Sequence, residues 1–358
     1  MTARTIPGAI RRAGFGGRFR GRTTVIGLVG LGLLAVLMVI GVTVGSTQIG
    51  PADTLAVILH RLTGIDLGRT WTDATETIVW ELRLPRVLTA AVVGAGLAIA
   101  GATFQGIVRN PLADPYVLGT SSGAALGAAI GILLPVGFVA LQLGIVNVLA
   151  FIGAIAAALL VFRVGGAGRS GGMTRLLLTG YAVGSILAAL LTMAMYVSGT
   201  NLRTIFTFLL GGLGGASWER LLVAAPVILV ACAAVVARAR SLDGLLLGDS
   251  AARHFGIDVR RERGILLVLA SMATAAAVAI TGLIGFVGLV VPHVVRLLVG
   301  APARRVLPIS AIAGAILLVA ADLVARMLGD IPVGVVMAML GAPFFLVLLH
   351  QARTGYEL

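Results

Sequence analysis

Long apolar runs separated by short polar loops recur along the 358-residue chain from Val25 to Leu349. A helix needs about 20 predominantly apolar residues to cross a bilayer. Run length and helix breakers together predict ten spans, at 24–45, 86–107, 116–134, 145–162, 175–197, 218–237, 264–284, 286–300, 307–328 and 332–350. The eighth is short for a spanning helix and contains Pro292. The pattern predicts an all-α polytopic membrane protein with one transmembrane domain over 24–350, flanked by tails at 1–23 and 351–358.

Three polar stretches between the runs are long enough to hold structure of their own. Gly50–Leu84 contains an amphipathic piece, Pro51–Leu62, which predicts a short surface helix. Asn201–Leu213 predicts a second short helix. Within Arg238–Arg263, the segment Leu242–Phe255 predicts two short helices broken near Gly248, with Gly256 as a stop.

Charge is sparse and unevenly distributed, with 11% charged and 59% hydrophobic residues. All 27 basic residues are arginine. With the N-terminus inside, 20 of them fall on the cytoplasmic side and 7 outside. This positive-inside bias supports ten spans with both termini in the cytoplasm and the first run as an uncleaved span. The arginines are spread over short loops, so the net charge of +13 does not predict a nucleic-acid partner.

The residue types exclude several chemistries. A phosphate-binding loop of the G-x-x-x-x-G-K-[ST] kind needs a lysine, and so does Schiff-base catalysis. The chain has no lysine, so any ATP and magnesium must be used by a partner. Cys232 is the single cysteine, and the four histidines do not stand at metal-ligand spacing. We therefore predict no catalytic residue, no bound cofactor and no metal site.

A polar turn, Arg109–Pro115, interrupts the apolar pattern between the second and third spans. Two prolines break the backbone there. Broken backbone at a membrane must lie at a surface or line a protected cavity. The polar turn therefore indicates a pathway through the membrane.

Four segments together resemble the permeases of the FecCD family, which serve ABC importers of cobalamin, iron–siderophores and haem. They occur in the family's order, and the resemblance runs from about residue 24 to 350. The segments are Glu81–Arg86 with Gln105 and Asn110–Pro115; Leu118–Ala124; Gly282–Arg296; and Ala321–Arg326 with Ile331–Gly334 and Gly341–Pro343.

The resemblance implies a type II importer in a bacterial inner membrane. It implies a second permease subunit, most simply an identical copy, with two ATPase subunits on the cytoplasmic face and an external binding protein. The cargo implied is a metal chelate, with a ferric siderophore favoured over haem or cobalamin.

The resemblance also assigns roles to individual residues. Arg83, Arg86 and Arg326 would meet acidic residues of the binding protein, although Arg83 and Arg86 could instead anchor the interface or pair with Glu81. Asn110, Pro111 and Leu112 would form a cytoplasmic gate with Thr174, although the turn could be an ordinary connection. The loop at about 241–259 would contact the ATPase, through Leu246, Leu247, Gly248, Asp249, Ser250, Ala251, Arg253 and Gly256.

Asp322 leaves a second class of function open. It lies four residues before Arg326, so both occupy one helix face. The resemblance implies that the two form a structural or gating ion pair. A carboxylate inside a span can instead couple transport to protons or sodium. The alternatives are therefore a secondary transporter using Asp322, and a membrane scaffold without transport.

Overall fold

The computed structural model describes residues 15–45, 47–64, 71–134, 139–140, 143–165 and 172–354. Within these ranges, seven helices are long and apolar enough to cross a bilayer, and three apolar helices are shorter. Each predicted span overlaps one of these ten, so the predicted fold class is confirmed. They are α1 (Phe15–Thr43), α4 (Leu84–Val108), α5 (Thr120–Leu133), α6 (Ile145–Gly165), α7 (Gly172–Tyr196), α9 (Trp218–Ala237), α12 (Val259–Thr281), α13 (Val287–Val299), α14 (Ala303–Met327) and α15 (Val333–Thr354).

The polar stretches hold short helices, as their patterns predict. The predicted ones are α2 (Pro51–Thr63), α8 (Leu202–Leu210), α10 (Ala239–Leu246) and α11 (Asp249–His254). A further short helix, α3 (Asp73–Thr77), was not predicted. Gly248 separates α10 from α11 with φ 106°, and Gly256 follows α11 with φ 75°, both conformations that favour glycine. Two two-residue strands, β1 (Val139–Ala140) and β2 (Leu143–Gly144), pair antiparallel before α6.

The second span begins earlier than residue 86, which corrects the predicted boundary. α3, a π-helical turn at Ile78–Arg83 and α4 form one continuous helix from Asp73 to Val108. Pro85 predicts a break, because proline lacks an N–H and crowds the preceding turn. The π-turn accommodates it: the Leu84 N–H donates to the carbonyl of Val79, five residues back. The helix therefore continues through the proline.

The predicted tails are also partly helical. α1 begins at Phe15, nine residues before the predicted span, and α15 continues to Thr354. Residues 1–14 and 355–358 of the predicted tails lie outside the described residues.

α4 is the central helix, and glycines let its neighbours approach it closely. A Cβ added at Gly94 would overlap the carbonyl of Gly314 in α14, and one at Gly101 would overlap that of Gly288 in α13. Small residues at crossings of this kind allow backbones to touch in membranes. The small residues of the second span therefore serve helix packing.

A methyl group at the α4–α13 crossing should be poorly tolerated. We expect Gly101→Ala to lower the apparent Tm in detergent, because the obstacle is the Gly288 backbone and cannot rotate away. Overpacking of this kind costs about 1–3 kcal/mol. Gly32→Ala is the matched control, since an added Cβ there meets nothing within 4 Å. Equal Tm values for the two variants would contradict the packing argument.

α13 is the short eighth span. Its 13 residues cover about 20 Å, less than the roughly 30 Å of the hydrocarbon layer. The remaining depth is filled by irregular backbone at 282–286, where Gly282 and Phe286 have φ 69° and 68°. This segment packs against the end of α8, since a Cβ added at Gly282 would overlap the carbonyl of Phe208. Non-helical backbone at membrane depth needs such protein cover.

Candidate functional site

Asp322 is the centre of an ion cluster that joins α4 and α14. Its side chain is 1% exposed and accepts a hydrogen bond from Arg86 Nε at 3.0 Å. Arg326 Nε lies 3.2 Å from its other oxygen, Oδ2, as an ion pair without hydrogen-bond geometry. The Arg326 Nη1 group also donates to the Gly41 carbonyl at the end of α1, at 2.8 Å. The predicted ion pair between Asp322 and Arg326 is therefore present, and Arg86, which the spacing could not reveal, completes it.

Arg83 is fixed at the end of α1 instead of facing outward. Its side chain is buried and its Nη1 donates to the carbonyls of Val42 and Thr43 at 3.0 and 2.6 Å. These carbonyls lie at the C-terminal end of α1, where backbone acceptors lack helical partners. In this structure, the guanidinium therefore ties the π-turn to α1. The docking role of Arg83 stays a prediction that this arrangement does not favour.

Arg86 has one contact that reaches the surface. Its Nη2 lies 2.7 Å from Oδ1 of Asp330, whose side chain is 61% exposed. Both residues line a cavity of about 480 Å³ together with Arg220, Thr204 and Phe208. Of the three arginines predicted for docking, Arg86 is the one that pairs with an exposed carboxylate. Asp330, with φ 61°, was not predicted from the sequence.

The polar turn is held by its own short-range hydrogen bonds. Arg109 ends α4 in the left-handed region at φ 54°. The Asn110 side chain accepts from the Leu112 N–H at 2.9 Å, which closes an Asx turn across Pro111. Asn110 and Pro111 are exposed and Leu112 is half-buried. The three predicted gate residues thus form one compact unit at the end of the central helix.

The second half of the polar turn is anchored in the protein. Asp114 caps a 3₁₀ turn at Pro115–Leu118 by accepting from the Tyr116 N–H at 2.8 Å. The Tyr116 hydroxyl donates to the carbonyl of Ile284, in the irregular segment before α13, at 2.9 Å. Burial raises the pKa of the Asp114 carboxyl to about 6. The turn is therefore exposed at Asn110 and fixed at Tyr116.

Thr174 lies apart from the Asx turn. It is exposed in the first turn of α7, and the same helix packs beside Gly119 through Gly180 and Gly184. The structure therefore places Thr174 on a helix that supports the polar turn. Its role as a second gate element stays a prediction.

The inner loop, Arg238–Arg263, is connected to the polar turn by a carboxylate. Asp249, the first residue of α11, receives Arg109 Nη2 at 3.0 Å and Arg263 Nη2 at 2.8 Å on the same oxygen, Oδ1. Arg263 is buried in α12. One side chain of the inner loop thus holds both Arg109, the first residue of the polar turn, and the next spanning helix. Arg109 and Arg263 were missed as site residues, because nothing in the sequence signals their proximity to Asp249.

The inner loop also presents apolar side chains to the surroundings. Leu247 and Phe255 are 66% and 70% exposed, beside exposed Ser250, Arg253 and Gly256. Exposed large apolar groups rimmed by polar residues are typical of protein interaction sites. Of the predicted contact residues, Leu246, Gly248, Asp249 and Ala251 are half-buried and support this surface from within.

A further polar contact ties α4 to α13. The buried Gln105 side chain donates to the Leu289 carbonyl at 3.1 Å and accepts from Arg296. Across the described ranges, no three His, Cys, Asp or Glu side chains could hold a metal ion, and the lack of a metal site stays a prediction.

Comparison with known proteins gives concordant matches. The FecCD transport family model matches residues 33–351. The cobalamin import system permease BtuC of Halobacterium salinarum is 45% identical over 78% of this chain and 75% of its own length. The hemin transport system permease HmuU of Yersinia pestis is 40% identical over 90% of this chain and 96% of its own length.

A solved structure is similar along nearly the whole chain. It is described as an inward-facing conformation of a candidate metal-chelate type ABC transporter. It is 30% identical, with a TM-score of 0.77, and the match covers 94% of this chain and 100% of that one.

Proposed function

We propose that this chain, which belongs to the FecCD transport family, imports a metal chelate and that ATP hydrolysis in partner subunits drives the import. It is the permease subunit of an ABC importer. Two relatives are named for cobalamin and hemin, which supports a macrocyclic chelate as cargo. We therefore propose cobalamin or haem as the cargo, in place of the ferric siderophore that the sequence resemblance favoured.

The contact of Asp249 with Arg109 and Arg263 is the observation that carries the ATP-driven mechanism. A motor on the cytoplasmic side has to move the gate, and Asp249 is the physical link between the two. Hydrogen bonds between ionised groups are short and roughly twice as strong as neutral ones. A displacement of α11 would therefore be passed to Arg109 and, through one peptide bond, to Asn110.

The alternative, a secondary transporter that uses Asp322, is less well supported. A coupling carboxylate must release and rebind its ion in each cycle. Asp322 is 1% exposed, and two guanidinium groups occupy its oxygens. A scaffold without transport would leave the exposed inner-loop surface and its link to the polar turn unexplained.

The partners and the pathway wall are part of the same proposal. α7 exposes Tyr181, Ile186 and Tyr196 along a face that a second, identical copy could complete. On this helix, the hydroxyls of Thr179, Ser185 and Thr192 donate to carbonyls four residues back. A wall whose donors are already satisfied offers few groups to retain a large cargo. The external binding protein would dock near Arg86 and Asp330.

The deciding experiment is reconstitution of the permease with its ATPase, with and without the binding protein. ATPase activity and uptake are measured with the binding protein loaded with cobalamin, haem or a ferric siderophore. We expect stimulation by one loaded form and uptake of that cargo. Uptake that follows a proton gradient without ATP, and that is lost in Asp322→Asn, would overturn the proposal in favour of the secondary transporter.

A further inference from the structure

The short helix α2 turns an apolar face away from the rest of the chain. Leu55, Leu59 and Leu62 stand at positions i, i+4 and i+7, so they form one stripe along the helix. Their exposed fractions are 67%, 37% and 69%. A helix surrounded by water normally carries polar residues on its exposed side. These three residues, which we call the leucine stripe, therefore call for an apolar environment.

Polar side chains of α2 make their contacts with the protein instead. Arg61 Nε lies 2.6 Å from Oε1 of Glu76 in α3, and the His60 ring packs edge-on against Trp71 with ring centroids 5.7 Å apart. Trp71 Nε1 donates to the other oxygen of Glu76 at 3.2 Å. Val57 of α2 is fully buried. These contacts fasten α2 to the helix that begins at Asp73 and fix which face of α2 points outward.

The long helix indicates the depth at which α2 lies. Arg83 ends the π-turn and Arg109 follows α4, so the two are 26 positions and about 39 Å apart along the helix. The hydrocarbon layer of a bilayer is about 30 Å thick, and the bilayer with its headgroups about 40–45 Å. With the polar turn at one surface, Arg83 therefore lies at headgroup level on the opposite side.

α2 is held at the level of Arg83. Arg83 donates to the last carbonyls of α1 and also to the Thr47 carbonyl in the connection to α2. α2 itself packs against α1 and the π-turn. Trp80 of the π-turn stacks with Trp218, with ring centroids 5.1 Å apart. Tryptophan is enriched where a membrane meets water. α2 therefore lies near the boundary between headgroups and acyl chains.

The bilayer supplies the apolar surroundings at this depth. α1, a spanning helix, exposes Val36 and Val39 by 56% and 58%, and α2 packs against this helix. The leucine stripe and the lipid-facing side chains of α1 thus belong to two helices in contact. Amphipathic helices rest in the membrane interface with their apolar side chains among the acyl chains.

We propose that α2 lies on the bilayer surface and inserts the leucine stripe into the acyl-chain region of the leaflet on its side. On the orientation that the arginine distribution predicts, this is the outer leaflet. The partner of this surface is the lipid itself, and the contact is independent of the cargo and of the ATP-driven mechanism proposed above.

The test measures the depth of a nitroxide label from its collisions with oxygen, which concentrates among acyl chains, and with a water-soluble nickel chelate. The permease–ATPase complex carries Cys232→Ala and one new cysteine, in nanodiscs of palmitoyl-oleoyl phosphatidylcholine without binding protein. Leu59→Cys reports on the leucine stripe. Val36→Cys is the reference inside the bilayer, and Ala74→Cys, at an exposed position of α3, is the aqueous reference.

We expect the label of Leu59→Cys to collide severalfold more with oxygen and severalfold less with the nickel chelate than the label of Ala74→Cys. Its depth should be about 5–10 Å below the headgroup boundary. Leu62→Cys, at the far end of the stripe, repeats the measurement and should give the same ranking. Each variant must first hydrolyse ATP like its Cys232→Ala parent, which shows that it is folded.

Two results would overturn the proposal. Collisions with the nickel chelate as frequent as in Ala74→Cys would mean that the leucine stripe lies in water. Few collisions with either reagent would mean that protein covers the stripe, as a second permease subunit would.

Discussion

Replacing Asp249 by asparagine is expected to uncouple ATP hydrolysis from import. The substitution keeps the side-chain shape but removes the charge that holds Arg109 and Arg263, at 3.0 and 2.8 Å. The side chains of Arg109 and Asp249 are 44% and 36% exposed, and exposed ion pairs contribute about 0–1 kcal/mol. Losing the link to Arg109 alone should therefore reduce cargo uptake by up to about fivefold, while ATP hydrolysis continues. The measured quantity is the number of ATP molecules hydrolysed per cargo molecule imported.

Two further variants separate coupling from ATPase docking. Arg109→Gln should reproduce the uncoupling, because it cuts the link on the gate side and leaves the Asp249–Arg263 pair intact. Arg260→Gln, at an exposed position without a described role, should leave the ratio unchanged. If Asp249→Asn instead lowers ATP hydrolysis and uptake by the same factor, Asp249 serves ATPase contact and not the transfer of motion.

Replacing Asp322 by alanine is expected to cause the largest loss of stability of any single change. It leaves Arg86 and Arg326, whose side chains are 14% and 11% exposed, without their shared counter-ion. Removing one partner of a buried ionic cluster costs about 3–5 kcal/mol. At a few degrees per kcal/mol, this corresponds to an apparent Tm lower by roughly 10 °C in detergent.

The matched control for Asp322→Ala is Asp330→Asn, which removes the other carboxylate on Arg86. Asp330 is 61% exposed, and exposed ion pairs contribute about 0–1 kcal/mol, so its Tm should barely change. Adding Arg86→Leu and Arg326→Met to Asp322→Ala should restore part of the loss, because no uncompensated charge would remain. An Asp322→Ala protein as stable as the wild type would show that this cluster does not hold α1, α4 and α14 together.

The sequence was sufficient for the helices and insufficient for the links between them. Apolar run length predicts α12 and α14 because a helix must have that length to cross the bilayer. Gly248 and Gly256 mark the ends of the inner-loop helices because the backbone conformations there favour glycine. The predicted start of the second span, at residue 86, was wrong. A π-turn accommodates Pro85, although a proline normally ends a helix.

Long-range contacts explain the remaining differences between the predicted and the observed roles of the site residues. In the sequence, Arg83 resembles a surface arginine. In the structure, the end of α1 lies beside it, and its N–H groups donate to carbonyls that lack helical partners. Asp249 and Arg109 are 140 positions apart, and a pattern along the chain does not report that separation in space. The pair Asp322 and Arg326 was predictable because four residues along a helix fix their geometry.

The continuous helix from Asp73 to Val108, of which α4 is the inner part, has the length of a lever. Its 36 residues span about 54 Å, well beyond the thickness of the hydrocarbon layer, so we expect one end to project from the membrane while the other carries Arg109. A joint at Pro85 would let the outer part bend without moving the inner part. Without that joint, a tilt imposed at the outer end by a docked partner would displace the polar turn on the opposite side. The same helix would transmit movements of the inner loop to the outer surface. The two faces of the membrane would therefore be mechanically coupled through a single helix.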